Sequence, residues 1–157
     1  MKKAITLAAV LSICLTLMSP ISQSNENRFG LGVITGEPTG ISWKKWIDND
    51  SAYDAAAAWS FTEQASIHIH ADWLKHNWKF LKQKTDITSG ELPLYYGVGG
   101  RVKIEDDSSI GIRFVIGVSY IVENEPFDVF CEIAPIVDVI PETKLGGNIG
   151  LGVRIWF

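Results

Sequence analysis

Asn148-Ile149-Gly150-Leu151-Gly152-Val153-Arg154-Ile155-Trp156-Phe157 closes the chain, and its alternation decides the fold. Ile149, Leu151, Val153, Ile155 and Phe157 fall on one face of an extended strand. Asn148, Gly150, Gly152, Arg154 and Trp156 fall on the other, because successive strand side chains point to opposite faces. A helix would bring its apolar residues back every three to four positions, so this period of two excludes one.

The same period runs upstream. Ile110, Ile112, Phe114, Ile116, Val118 and Tyr120 alternate with Gly111, Arg113, Val115, Gly117 and Ser119. Leu94, Tyr96, Val98, Val102 and Ile104 oppose Tyr95, Gly97, Gly99, Arg101 and Lys103. Val129, Cys131, Ile133 and Val137 oppose Phe130, Glu132, Ala134, Ile136 and Asp138. Ile67, Ile69, Ala71 and Trp73 oppose His68, His70 and Asp72. Phe29 to Thr35 and Gly40 to Ile47 flank the turn Gly36-Glu37-Pro38-Thr39. Ala52 to Phe61 alternates too, although its four consecutive alanines favour a helix intrinsically. These segments predict eight antiparallel strands and no long helix. Pro135, on an apolar face, predicts a bulge or kink.

The polar faces separate a water-soluble sandwich from a membrane barrel. A solvated face carries long polar side chains, but here Gly30, Gly32, Gly97, Gly99, Gly111, Gly117, Gly150 and Gly152 dominate. Glycine weakens an exposed strand, yet it fits the interior of an eight-stranded barrel, which is just wide enough to be filled by side chains. The same face carries Lys44, Arg101, Lys103, Arg113 and Arg154 with Asp54, Asp72, Asp128, Glu132 and Asp138. Paired charge is tolerable in a confined lumen where lone charge is costly. The expectation is a plugged eight-stranded up-and-down transmembrane barrel with a lumenal network of Arg101, Arg113, Glu132, Arg154, Asp72 and Asp138. Glu132 is expected to bridge Arg113 and Arg154. Aromatic residues near strand ends (Phe29, Trp43, Trp46, Trp59, Phe61, Trp73, Tyr120, Trp156 and Phe157) are expected to form interfacial girdles.

The terminal segment resembles the C-terminal signal of bacterial outer-membrane β-barrels, with Phe157 last and Gly150, Val153 and Ile155 upstream. The whole pattern is similar to the small eight-stranded class of the OmpA transmembrane domain and OmpX. This resemblance implies recognition by the barrel-assembly machinery and periplasmic chaperones, contact with outer-membrane lipid and lipopolysaccharide, and a monomer. It places Phe157 at the periplasmic end. The connections 141–146 and 105–109 are then extracellular, and 123–126 and the long 75–91 are periplasmic. The long connection interleaves Lys75, Lys79, Lys82 and Lys84 with Trp78, Phe80 and Leu81; a solvated turn or an extension of the strand is expected over the alternative, a segment lying along the inner-leaflet interface or contacting a periplasmic partner.

The first residues fit this destination. Lys2 and Lys3 precede an apolar run from Ala4 to Leu17, and Pro20 precedes Ser22-Gln23-Ser24. This is the pattern of a secretory signal peptide, 1–24, leaving 25–157 as the barrel domain. A lipoprotein signal ending at Cys14 is disfavoured by Ile13 and by the apolar run continuing past the cysteine. Removing 24 residues of 157 leaves 133 and takes the formal charge from −4 to −6, since two lysines leave and no acid does. Cys131 is then alone, so no internal disulfide is available. Acidity excludes general nucleic-acid binding, which needs a basic face.

Site chemistry is sparse. His68-x-His70-x-Asp72 puts three potential ligands on one face at steps of about 6.6–6.8 Å, so an adjacent strand would have to complete any metal site. A lumenal polar ladder with Lys103 or Arg101 is expected instead. A lipid hydrolase needs Ser, His and an acid within hydrogen-bond reach, but no His-x-Ser occurs, and Ser42, Ser60 and Ser119 read as small lumenal filler. Gly97-Val98-Gly99-Gly100 lies within a strand and opens no helix, which voids a nucleotide-loop reading. The expectation is an envelope structural or interaction protein without catalytic residues, cofactor or metal. The alternatives are a lipid A-type hydrolase, a narrow solute channel, and a soluble periplasmic barrel binding an apolar ligand.

Overall fold

Strands form along the alternating segments: β1 (Phe29–Glu37), β2 (Thr39–Trp46), β3 (Ser51–Ser60), β4 (Ser66–Asn77), β5 (Leu94–Ile104), β6 (Ser109–Ile121), β7 (Phe127–Ile140) and β8 (Lys144–Trp156). This computed structural model describes residues 28–37, 39–60, 66–85, 89–106 and 108–157. The expected signal peptide, 1–24, and Phe61 lie outside the described residues.

Each strand pairs antiparallel with the next, and β8 returns to β1 to close the barrel. Closure removes the unpaired edges that an open sheet would expose. The seam runs in register from Gly30↔Trp156 to Glu37↔Ile149. At its end the Phe157 N–H donates to the Phe29 carbonyl at 2.9 Å, and the Phe29 N–H donates back at 3.3 Å. The two rings stack with centroids 5.3 Å apart.

The alanine run is a strand. Ala55 to Ala58 stand in register between β2 and β4, and Ala56 and Ala58 are buried. The barrel needs small inward side chains there, and tertiary pairing overrides helix propensity. Pro135 is not the bulge. The β6–β7 ladder has no paired positions at Phe114 and Val115, and the register shifts only at the far end, where Ile110 faces Ile140 while Gly111 faces Asp138. Proline removes a ladder donor without adding a residue, whereas a bulge needs one extra residue, here Val139. In the long connection, β4 first continues to Asn77, and a single turn of helix α1 (Lys79–Lys82) follows. The Asn77 side chain accepts hydrogen bonds from the Lys79 and Phe80 N–H groups at 3.1 and 3.0 Å and starts that turn.

Packing inside the barrel follows a small-against-large rule. Trp156 stands in register with Gly30, Arg154 with Gly32, Phe130 with Gly152, Tyr95 with Gly117 and Leu74 with Gly97. A methyl group added at Gly152 or Gly117 would collide with the Phe130 or Tyr95 ring. The lumen thus has no room for two bulky residues at one level. The outward faces are apolar around the whole circumference: Leu31, Ile41, Tyr53, Ile69, Val98, Phe114, Ile133 and Leu151 represent the eight strands in order, each 44–53% exposed.

Trp46 and Trp156 depart from the expected aromatic girdle. Both point inward and are buried, at 4% and 8% exposure. Each sits on the inward parity of its strand, so position near a strand end did not set its direction.

Candidate functional site

The middle of the lumen is a network of ion pairs built across the barrel. Arg154 on β8 donates through one Nη to Asp54 Oδ2 on β3 at 2.5 Å, and through Nε and the other Nη to Asp128 on β7 at 3.3 Å each. Arg113 on β6 donates through Nε to Asp72 Oδ2 at 2.9 Å and through Nη to Glu132 Oε1. Tyr95 donates its hydroxyl to the other Glu132 oxygen at 3.1 Å. Nearer the far end, Arg101 donates to both oxygens of Asp138 at 2.7 Å. The strands bring together all six expected network residues. They do so as three groups: Arg113 with Asp72 and Glu132, Arg154 with Asp54 and Asp128, and Arg101 with Asp138.

The expected bridge from Glu132 to Arg154 is replaced. Arg154 turns to Asp54 and Asp128, its guanidinium 3.9 Å from the centre of the Phe130 ring. Phe130 lies between Asp128 and Glu132 on the inward face of β7, so the ring stands where the bridge would have run. Lys103 belongs to the rim, paired with Glu105 at 2.7 Å.

Toward Phe157, aromatic rings close the lumen. Lys44 donates to His76 Nε2 at 2.8 Å, and His76 Nδ1 meets the Asp50 carbonyl at 3.1 Å. A carbonyl can only accept, so His76 carries a proton on Nδ1. The Lys44 ammonium lies 4.7 Å from the Tyr95 centroid and 5.2 Å from that of Trp46. Trp46 packs on His76 at 4.4 Å, on Trp78 at 5.6 Å and on Trp156 at 6.0 Å. Sequence reasoning missed this assembly. The available signal was inward parity at Trp46, His76, Tyr95 and Trp156, all near the same end of their strands.

Outside the strands, two groups among the described residues are displaced from their usual titration. The Asp48 carboxylate accepts the Asp50 and Ser51 N–H groups at 2.8 and 2.7 Å, which holds it below the ordinary carboxylate range. Burial lowers the Arg28 pKa, and the nearby Glu91 charge opposes that shift.

The histidine motif is divided. His68 stands opposite Lys103 and His70 opposite Arg101, the ladder expected from sequence. His68 Nε2 is 3.0 Å from Ser66 Oγ, a Ser-x-His contact that a search for His-x-Ser passes over. Both residues are buried on the inward face, where a lipid chain outside the barrel does not reach. Asp54, His70 and Asp72 each bring one donor atom within 4.8 Å of the others. Arg154 and Arg113 already bind the two carboxylates, so the cluster is part of the ion-pair network.

With a closed barrel and a filled lumen established, comparison with solved structures finds the N-terminal β-barrel domain of Pseudomonas aeruginosa OprF. The TM-score is 0.59 at 13% identity, covering 87% of this chain and 100% of that one. The chain shares the fold of that domain, a closed eight-stranded antiparallel up-and-down barrel. No family model matches the chain, and no curated protein does. Alternate apolar residues face outward on all eight strands, and β2 to β8 each carry at least one inward charge, while β1 is lined by Gly30, Gly32 and Ile34.

Proposed function

We propose that the protein is a monomeric outer-membrane barrel with a plugged lumen, acting as a structural or interaction component of a Gram-negative-type envelope. Delivery by the signal peptide 1–24, passage with periplasmic chaperones and insertion by the barrel-assembly machinery through Gly150, Val153, Ile155 and Phe157 belong to this reading. Outer-membrane lipid and lipopolysaccharide are its surroundings.

One observation carries the proposal: the apolar residues form a continuous outward belt while arginines and carboxylates are inside. In water such a belt would be far larger than the few hundred Å² of contiguous apolar surface that soluble monomers expose. In a bilayer it is the expected surface, and strands of 8 to 14 residues suit a tilted crossing of about 9–11. The fully buried Arg113 and Arg154 and the aromatic closure support a plug over a pore.

Flotation with lipid vesicles and gel mobility before and after boiling test the membrane assignment. The expected result is co-flotation and a heat-dependent mobility shift. A protein that stays soluble without detergent and shows no shift would refute it. Planar-bilayer recording tests the plug, with no steady conductance expected.

A further inference from the structure

The outward surface at the Phe157 end is basic on one side only. Lys45, exposed on β2, stands in register with Phe29 and Tyr53, and Tyr53 in turn with Trp73. Lys75, two residues beyond Trp73, stands in register with Tyr96. Tyr53, Trp73 and Tyr96 are 53%, 43% and 51% exposed. Below this row the chain turns into α1, which exposes Lys79 and Lys82 beside Phe80. Lys79, Lys82, Thr85 and Trp78 line a cavity of about 280 Å³.

Acids lie near this patch, and one of them pairs with it. Asp50 is 3.6 Å from Lys75, and Glu91, also on the cavity wall, acts on the charge of Arg28. Among the described residues no carboxylate pairs with Lys45, Lys79 or Lys82. Across the barrel at the same end, the β6–β7 turn carries Glu123 and Glu125 and no lysine or arginine. The outward residues beside that turn are Phe127, Val129, Val153 and Ile155.

An ammonium adjoining the apolar belt is costly unless its stem extends to the headgroup level and meets an anion. Exposed Tyr and Trp rings mark that level. We infer that the β2–β5 rim with α1 is a binding site for the phosphate headgroup of an anionic glycerophospholipid in the inner leaflet. Lys45 and Lys75 would hold it from the wall, and Lys79 and Lys82 from below. The inference rests on the outer-membrane reading and on Phe157 marking the periplasmic end.

The test uses the whole barrel inserted in phosphatidylcholine vesicles. Insertion is first confirmed by flotation and heat-dependent mobility; failure there would overturn the membrane reading itself. Quenching of tryptophan by brominated phosphatidylglycerol is then compared with quenching by brominated phosphatidylcholine at equal mole fraction. A local enrichment of about fivefold or more is expected, the attraction of roughly one interfacial lysine. Trp73→Phe should reduce the excess, leaving the share reported by Trp78, and Trp59→Phe, at the opposite rim, should leave it unchanged. Replacing Lys45, Lys75, Lys79 and Lys82 with Gln should remove the enrichment, and replacing them with Arg should preserve it. Should the Gln variant fail to insert, loss of enrichment in the native barrel at high salt gives the same support. Equal quenching by the two lipids would overturn the site. So would enrichment that survives the Gln variant, or a preference for lipid A phosphates over phosphatidylglycerol. Abolition by inorganic phosphate at constant ionic strength would assign the site to the free ion and overturn a lipid site.

Discussion

The two ends of the lumen are filled by different means. Toward Phe157, Trp46, Trp156, His76 and Tyr95 interlock around the Lys44 ammonium. Toward the β7–β8 turn, β8 carries the half-buried Asn148 and then the exposed Gly146, where an added methyl group would touch nothing within 4 Å. The central ion pairs separate this packed end from an open rim. Close packing makes the first end sensitive to volume, whereas the rim tolerates change.

The largest effect expected is at the closed end. Trp46→Ala removes a ring that touches three others and should destabilise the barrel by about 3–5 kcal/mol. Urea unfolding in detergent measures the loss, and a new steady conductance should appear if the rings are the plug. Next, Arg154→Ala removes the hydrogen-bonded counter-charge of Asp54 and Asp128 and should cost about 3–5 kcal/mol. Adding Asp54→Asn and Asp128→Asn should recover most of it in the same unfolding measurement. Arg101→Ala, whose partner Asp138 is nearer water, should cost less, about 1–3 kcal/mol. Equal losses at Arg154 and Arg101 would break the comparison.

Glycines on β8 probe the same gradient with smaller steps. Gly152→Ala forces a methyl group against Phe130 and should cost about 1–3 kcal/mol, while Gly146→Ala should stay within about 0.5 kcal/mol. The smallest effect is at the β2–β3 turn. Asp48 is held below the ordinary carboxylate range, so its contribution is present above that range and lost as pH falls through its lowered folded value. Asp48→Asn should therefore flatten the acid limb of the stability profile, read as unfolding midpoints between about pH 7 and pH 3.

The barrel was legible because alternation is local. Gly111 to Ser119 announces its own inward face without reference to any other strand. The lumenal charges were legible for the same reason, and their partners were not. Arg154 and Asp54 are 100 residues apart, and their contact depends on how far each strand is staggered around a closed cylinder. Sequence neighbours such as Glu132 then look as eligible as Asp128, until the Phe130 ring intervenes. The Ala55–Ala58 strand shows the converse: local preference pointed to helix, and the need for small inward residues prevailed. The inward turn of Trp46 was available from parity, but aromatic character near a strand end pulled the reading toward the girdle.

The seam between β1 and β8 also bears on how the molecule reaches this state. Phe29 and Phe157 exchange hydrogen bonds across nearly the full length of the barrel sequence. The seven hairpin pairings can form as successive strands become available, but the cylinder gains its last ladder only when β8 meets β1. Until then two strand edges remain open to foreign partners, and the contact that removes both has the highest loop-closure cost. A chain shortened by β8 alone would therefore leave a persistent sticky intermediate, so the kinetics of assembly are concentrated in its final strand.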